Sequence, residues 1–214
     1  MSDQACAPTI TKLEAANRQL CTAIRLFFDD ADAVSIHTLA GAAREIYEKH
    51  CLKSDKPRMF NFVKSGNPAY SEKELWNLLN AARNFFKHPG EALADTIVFD
   101  DTINDFQLLT ACQDCATLCA GRQPREVQVF SFWYLAVETP DEQAFAEAEA
   151  ATAAEARALQ REIDRRYPGL RTASRAEKKR FGRQLLEEAE QLVERADPQP
   201  GDIQIGAGLF VGSA

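Results

Sequence analysis

Apolar residues recur along this chain at intervals of three and four, the period of a helix buried on one side. Leu13, Leu20, Ile24, Phe27 and Phe28 trace such a stripe, with Lys12, Glu14, Arg18 and Arg25 off it, and predict a first helix from about Ile10. Asp29, Asp30 and Asp32 then offer turn and cap oxygens. They predict a second helix from about Val34 to Cys51, with Ile36, Leu39, Ala43, Ile46 and Tyr47 inward. The short link makes the two an antiparallel hairpin. Residues 52 to 70 hold Pro57, Pro68 and a Ser65-Gly66-Asn67 cluster, and read as a locally basic loop with at most one short turn at Met59 to Val63.

The best-delimited helix runs from Ser71 to Gly90, and the chain is expected to be organised around it. Ser71 and Glu74 have capping-box spacing. Leu75, Leu78, Leu79, Ala82 and Phe86 make one apolar face, and Pro89 should stop the helix near Lys87. Beyond it, Thr96 to Phe99 is a short β-prone run. Thr102 to Ala120 returns to helix with Phe106, Leu108, Leu109, Cys112, Cys115 and Cys119. Glu126 to Val137 is the most apolar stretch and the expected buried centre, with helix and strand both open because β-branched and aromatic residues are plentiful.

From Asp141 the composition turns to Ala, Glu and Arg. One helix is predicted to about Arg166, stopped by Pro168 and Gly169, and a last one from Ser174 to Arg195, with Glu177 three residues after its cap. Phe181, Leu185, Leu192 and Val193 form only a thin stripe, so this pair is expected as an appended hairpin laid on the main bundle or on a partner. The expectation is therefore an all-α protein with a core of about five helices. It divides into a helical core over 1–140, a hairpin extension over 141–197 and an extended, nearly uncharged tail over 198–214.

Composition adds limits. A chain of 214 residues buries a core without disulfides or metal, so size demands no cofactor. No apolar run approaches bilayer length, and the opening residues lack the charged start and apolar centre of a secretion signal. A cytoplasmic protein with no membrane partner is expected, its six cysteines as thiols. The net charge of -7 argues against a generic nucleic-acid binder, yet residues 156 to 183 carry ten basic groups against Glu162, Asp164 and Glu177. That band is read as solvated surface first and as an RNA or acidic-protein contact second.

Chemistry gathers at the end of the Ser71 helix, where Arg83, Asn84, Lys87 and His88 share the last turn. An Arg followed by a polar residue, then His after four intervening positions, in an all-helical protein, resembles the motif of the HEPN superfamily (higher eukaryotes and prokaryotes nucleotide-binding). Active members of that superfamily are metal-independent ribonucleases. The resemblance implies His88 as general base and acid on RNA, Arg83 on the phosphate, Asn84 as an orienting group, and a dimer in which two motifs face each other. On an ideal helix Arg83 stands about 140° from His88, and Arg44 with His50 nearly repeats the pattern with five residues between. The runs Val34 to Ala40 and Asn84 to His88 also resemble a family of uncharacterised bacterial helical proteins. That likeness adds His37, which approaches Asn84 and His88 if the two helices pack side by side, and Lys87 as a binding group.

Cys112, Cys115 and Cys119 lie on one helical face and read as small core residues, so no metal site is expected. Two function classes follow: an RNA-cleaving or RNA-binding protein acting through Arg83, Asn84 and His88, or a non-enzymatic interaction or oligomerisation protein whose surface is the 141–195 hairpin and tail.

Overall fold

The computed structural model describes residues 9–88, 95–119, 121–137 and 150–195. Among these are eight α-helices and no strand, the all-α class that the periodicity predicts: α1 (Lys12–Phe28), α2 (Ala33–Lys53), α3 (Met59–Gly66), α4 (Glu72–Lys87), α5 (Ile103–Cys119), α6 (Arg125–Val137), α7 (Ala150–Arg166) and α8 (Arg175–Arg195). The first part of the helix expected from Asp141, and the tail after Arg195, lie outside the described residues. None of the described helices is long and apolar enough to cross a membrane.

Local sequence explains the helix ends. Thr11 Oγ1 accepts the Glu14 N–H and Glu14 returns a carboxylate oxygen to the Thr11 N–H, which closes the start of α1. Asp29 ends α1 and Asp32 starts α2 by accepting the Ser35 N–H at 2.7 Å, so four residues turn the chain back on itself. Between them Asp30 takes a left-handed backbone with φ 53°. Ser71 and Glu74 close α4 in the same reciprocal way as Thr11 and Glu14.

The element at the centre is α2, not α4. It packs on α1, α4 and α5, whereas α4 packs chiefly on α2 alone. The reason is visible in its register. Ile36, Ala40, Ala43, Tyr47 and Cys51 form a buried apolar stripe, and His37, Gly41, Arg44 and Glu48, one residue further on, form a buried polar stripe beside it. Both stripes are covered, and the exposed side of α2 is left to Ser35, Thr38 and Lys49.

The apolar core joins Leu20, Ile24, Phe27 and Phe28 of α1 to Leu108, Ala111 and Cys112 of α5 and to Val127, Phe130 and Trp133 of α6. Val127, Phe130, Trp133 and Val137 are buried at helical spacing, which settles this stretch as helix. Phe27 and Phe28 each meet the Trp133 ring edge-on, with centroids 5.1 and 5.6 Å apart. The segment expected as loop with one short turn carries the longer α3, where Phe60 is buried against Trp76.

The C-terminal pair was expected on the outside, but α8 enters the core. Leu185, Leu186 and Ala189 are buried with α1 and α6, and Trp133 Nε1–H donates to the Lys178 carbonyl at 2.6 Å. Gly182 lets the α8 backbone ride directly on Phe28, since a Cβ there would stand 2.1 Å from the ring. The basic band explains the docking. Arg175 grips Asp105 and Asp101, Lys179 reaches Asp30 at 2.6 Å and Asp101 at 3.0 Å, and Arg183 meets Asp29. Lys179 is 2% exposed and stands over the Phe27 ring, so three of the band's ten cations clamp α8 to the α1–α2 turn and the start of α5.

Candidate functional site

The polar stripe of α2 is sandwiched between α4 and α5. His37 Nδ1–H donates to Asn104 Oδ1 at 2.9 Å, a tautomer fixed because Asn104 uses its own N–H on the Ala33 carbonyl. The ring lies edge-on to Phe86 and Phe99. Arg44 donates to Asn80 Oδ1 at 2.5 Å, Arg83 donates to the same oxygen at 3.4 Å, and Asn80 Nδ2–H donates to the Trp76 carbonyl. Arg83 then pairs with Glu45 at 2.5 Å, and Arg58 with Glu48 at 3.1 Å. Asp114 accepts the Met59 N–H, which ties α5 to the start of α3. Arg44, Arg58 and Arg83 thus stand against Glu45, Glu48 and Asp114, three charges of each sign, which is what allows them to lie together out of water.

The layer perturbs its own groups. Burial pushes the His37 imidazole toward its neutral form, against the Asn104 hydrogen bond and with the help of the Arg44 and Arg83 charges. Burial also raises the carboxyls of Glu48 and Asp114 despite their arginine neighbours. Glu45 moves the other way: burial opposes its charge, but Lys49 and Arg83 overcome that and hold it low. Gly41 makes room for the layer, because a Cβ there would stand 2.8 Å from Arg83 Cδ and 2.9 Å from Gln107 Nε2.

At its outer end the layer opens into a cleft of about 350 Å³ walled by Leu52, Phe60 and Trp76, with Glu48 and Arg58 paired beside them and Lys49, Glu72 and Lys73 completing the lining. Lys49 also lines a neighbouring cleft of about 340 Å³ with Lys12, His50 and Lys53. Neither cleft was foreseen in the sequence. The locally basic loop was its only signal, and the wall residue Trp76 comes from another helix.

The residues singled out beforehand separate into two groups. Arg83 is 8% exposed and turned inward to Glu45, while Asn84, Lys87 and His88 are exposed. The angular offset of Arg83 from His88 on an ideal helix is therefore realised, and the two do not meet at one surface. His37 belongs to the inward group, bound to Asn104 of α5 and not to Asn84 or His88. Arg44, the other arginine of the repeated pattern, is buried beneath Trp76, with its guanidinium 5.5 Å from the ring centroid. Cys112 and Cys115 are core residues, and among the described residues no three His, Cys, Asp or Glu side chains converge as metal ligands would.

The outward face of α4 carries two large apolar side chains among polar ones. A helix that buries Asn80 and Arg83 leaves Leu78 62% exposed and Phe85 38% exposed. Phe86 packs on Phe99, so the exposed Ile97 and Val98 lie near the same end of α4. Leu75 and Ala82 face inward beside Asn80 and Arg83, and Leu78 and Phe85 face away. No family model, curated protein or solved structure matches the chain.

Proposed function

We propose that this chain is a non-enzymatic interaction protein that works through the outward face of α4. The observation that carries the reading is the exposure of two large apolar side chains on one helix: Leu78 and Phe85 stand in solvent while Leu75, Asn80, Ala82 and Arg83 face inward. The clamp on α8 supports it from the other side. With Arg175, Lys179 and Arg183 engaged by Asp29, Asp30, Asp101 and Asp105, three of the ten cations in the basic band that suggested a C-terminal contact are already used to dock α8.

A photo-crosslinking residue in place of Leu78 is expected to give covalent adducts in the cells that make the protein, and the same residue in place of the exposed Gln184 on α8 is expected to give none. Absence of any adduct from position 78 would end this reading.

Metal-independent RNA cleavage is the second reading. It is favoured by Asn84 and His88, exposed one helical turn apart with Lys87 beside them. Against it stands Arg83, whose guanidinium is held by Glu45 and Asn80 instead of being free for a phosphate. It predicts RNA cleavage in chelator that His88→Ala abolishes without moving the melting temperature; an inactive wild-type chain would remove it.

A further inference from the structure

We infer that the partner of the α4 face is a second copy of this chain, packed antiparallel to the first. The inference rests on the interaction reading above and names its partner. Glu74, Leu78, Ala81, Phe85 and His88 follow one another at spacings of four, three, four and three, and all five are exposed. That alternation lays the five along one face of α4, apolar in its middle and polar at both ends, a seam on which a second helix can pack.

The seam is complementary to itself in one orientation only. Centred on Ala81, an antiparallel pair sets Leu78 of each copy against Phe85 of the other, a large side chain on each side of a small one. Glu74 then falls opposite His88, and the acidic first turn of Glu72 and Glu74 lies near the last turn with Lys87. Such an interface is isologous, each contact made twice, and the two helix dipoles oppose. A parallel pair would instead stack Glu74 on Glu74 and His88 on His88. The antiparallel seam also holds the two His88 side chains about 20 Å apart, fourteen residues of helical rise, so it is not an arrangement in which two histidines share one site.

A seam on one helix of sixteen residues falls short of the roughly 800 Å² per partner of a standard interface, so association belongs in the micromolar range. Sedimentation of the full chain from about 1 to about 200 µM should show a monomer-dimer equilibrium in that range. Leu78→Glu, at an exposed position that leaves the fold intact by circular dichroism, should weaken it at least tenfold. His88 fixes the orientation. His88→Lys should tighten the dimer and His88→Glu should loosen it, because each faces Glu74 of the other copy, whereas a parallel pair would be loosened by both.

A chain that stays monomeric throughout, or one loosened by both His88 variants, overturns the proposal. If the chain is monomeric and a crosslinker at position 78 captures a different protein, the second copy is excluded while the interaction reading stands. If it is monomeric and captures nothing, both fall.

Discussion

His37 and Arg83 show how far a single residue can be read before its surroundings are known. That Arg83 diverges from His88 follows from 100° per residue on any helix. Where it goes does not, since its destination needs Glu45, Asn80 and the missing Cβ of Gly41, which come from two helices. His37 was placed near a helix start by its neighbours, but its partner Asn104 lies 67 residues away. Its titration follows from that partner shell. The folded pKa lies below the unfolded value of 6.5, so the contribution of His37 to stability is complete above 6.5 and is lost as pH falls through the depressed value. Urea unfolding measured across this range should show stability falling with acidification, and His37→Gln should flatten the curve there, leaving carboxylate effects at lower pH.

Among the elements, α4 and α8 were both legible in their bounds, and α8 was not legible in where it packs. A capping box, an apolar stripe and a following proline are all local, and they placed α4 within one residue of where it lies. The basic band of α8 was equally plain, but its acidic partners sit on the α1–α2 turn and at the start of α5, and no local rule joins them. The thin stripe also understated its burial, because Gly182 substitutes for bulk by letting the whole helix approach. The consequence reverses a familiar expectation. Gly182→Ala should gain about 1 kcal/mol of helix propensity and lose more, about 1–3 kcal/mol, to the clash with Phe28. Denaturant titration should find the variant less stable, and Phe28→Leu in the same chain should recover part of the loss.

Across the whole molecule, sequence clarity did not mark the central element: the clearest helix, α4, packs chiefly on α2. Helix α4 is clear because one face is wet; α2 is central because a polar stripe is covered beside its apolar one, and the burial of Arg44 and Glu48 next to Ile36 and Tyr47 is what periodicity could not show. Helix α6 was ambiguous for a related reason, since a stretch apolar all round carries no phase until its neighbours choose one.

The cysteines draw a last consequence from this architecture. Cys51, Cys112 and Cys115 are buried, and Cys21 and Cys119 half-buried, on the inner helices α1, α2 and α5, and none of these described thiols is in a disulfide. Burial pushes the thiol of Cys21 up to about 12, that of Cys115 also to about 12 and that of Cys51 to about 11. A thiolate is the form that alkylates, so the buried Cys51 and Cys115 should react far faster once the bundle opens than while it is closed. The chain therefore carries its own clock: the rate at which Cys51 and Cys115 are alkylated, followed residue by residue, counts the openings of the fold with no residue changed.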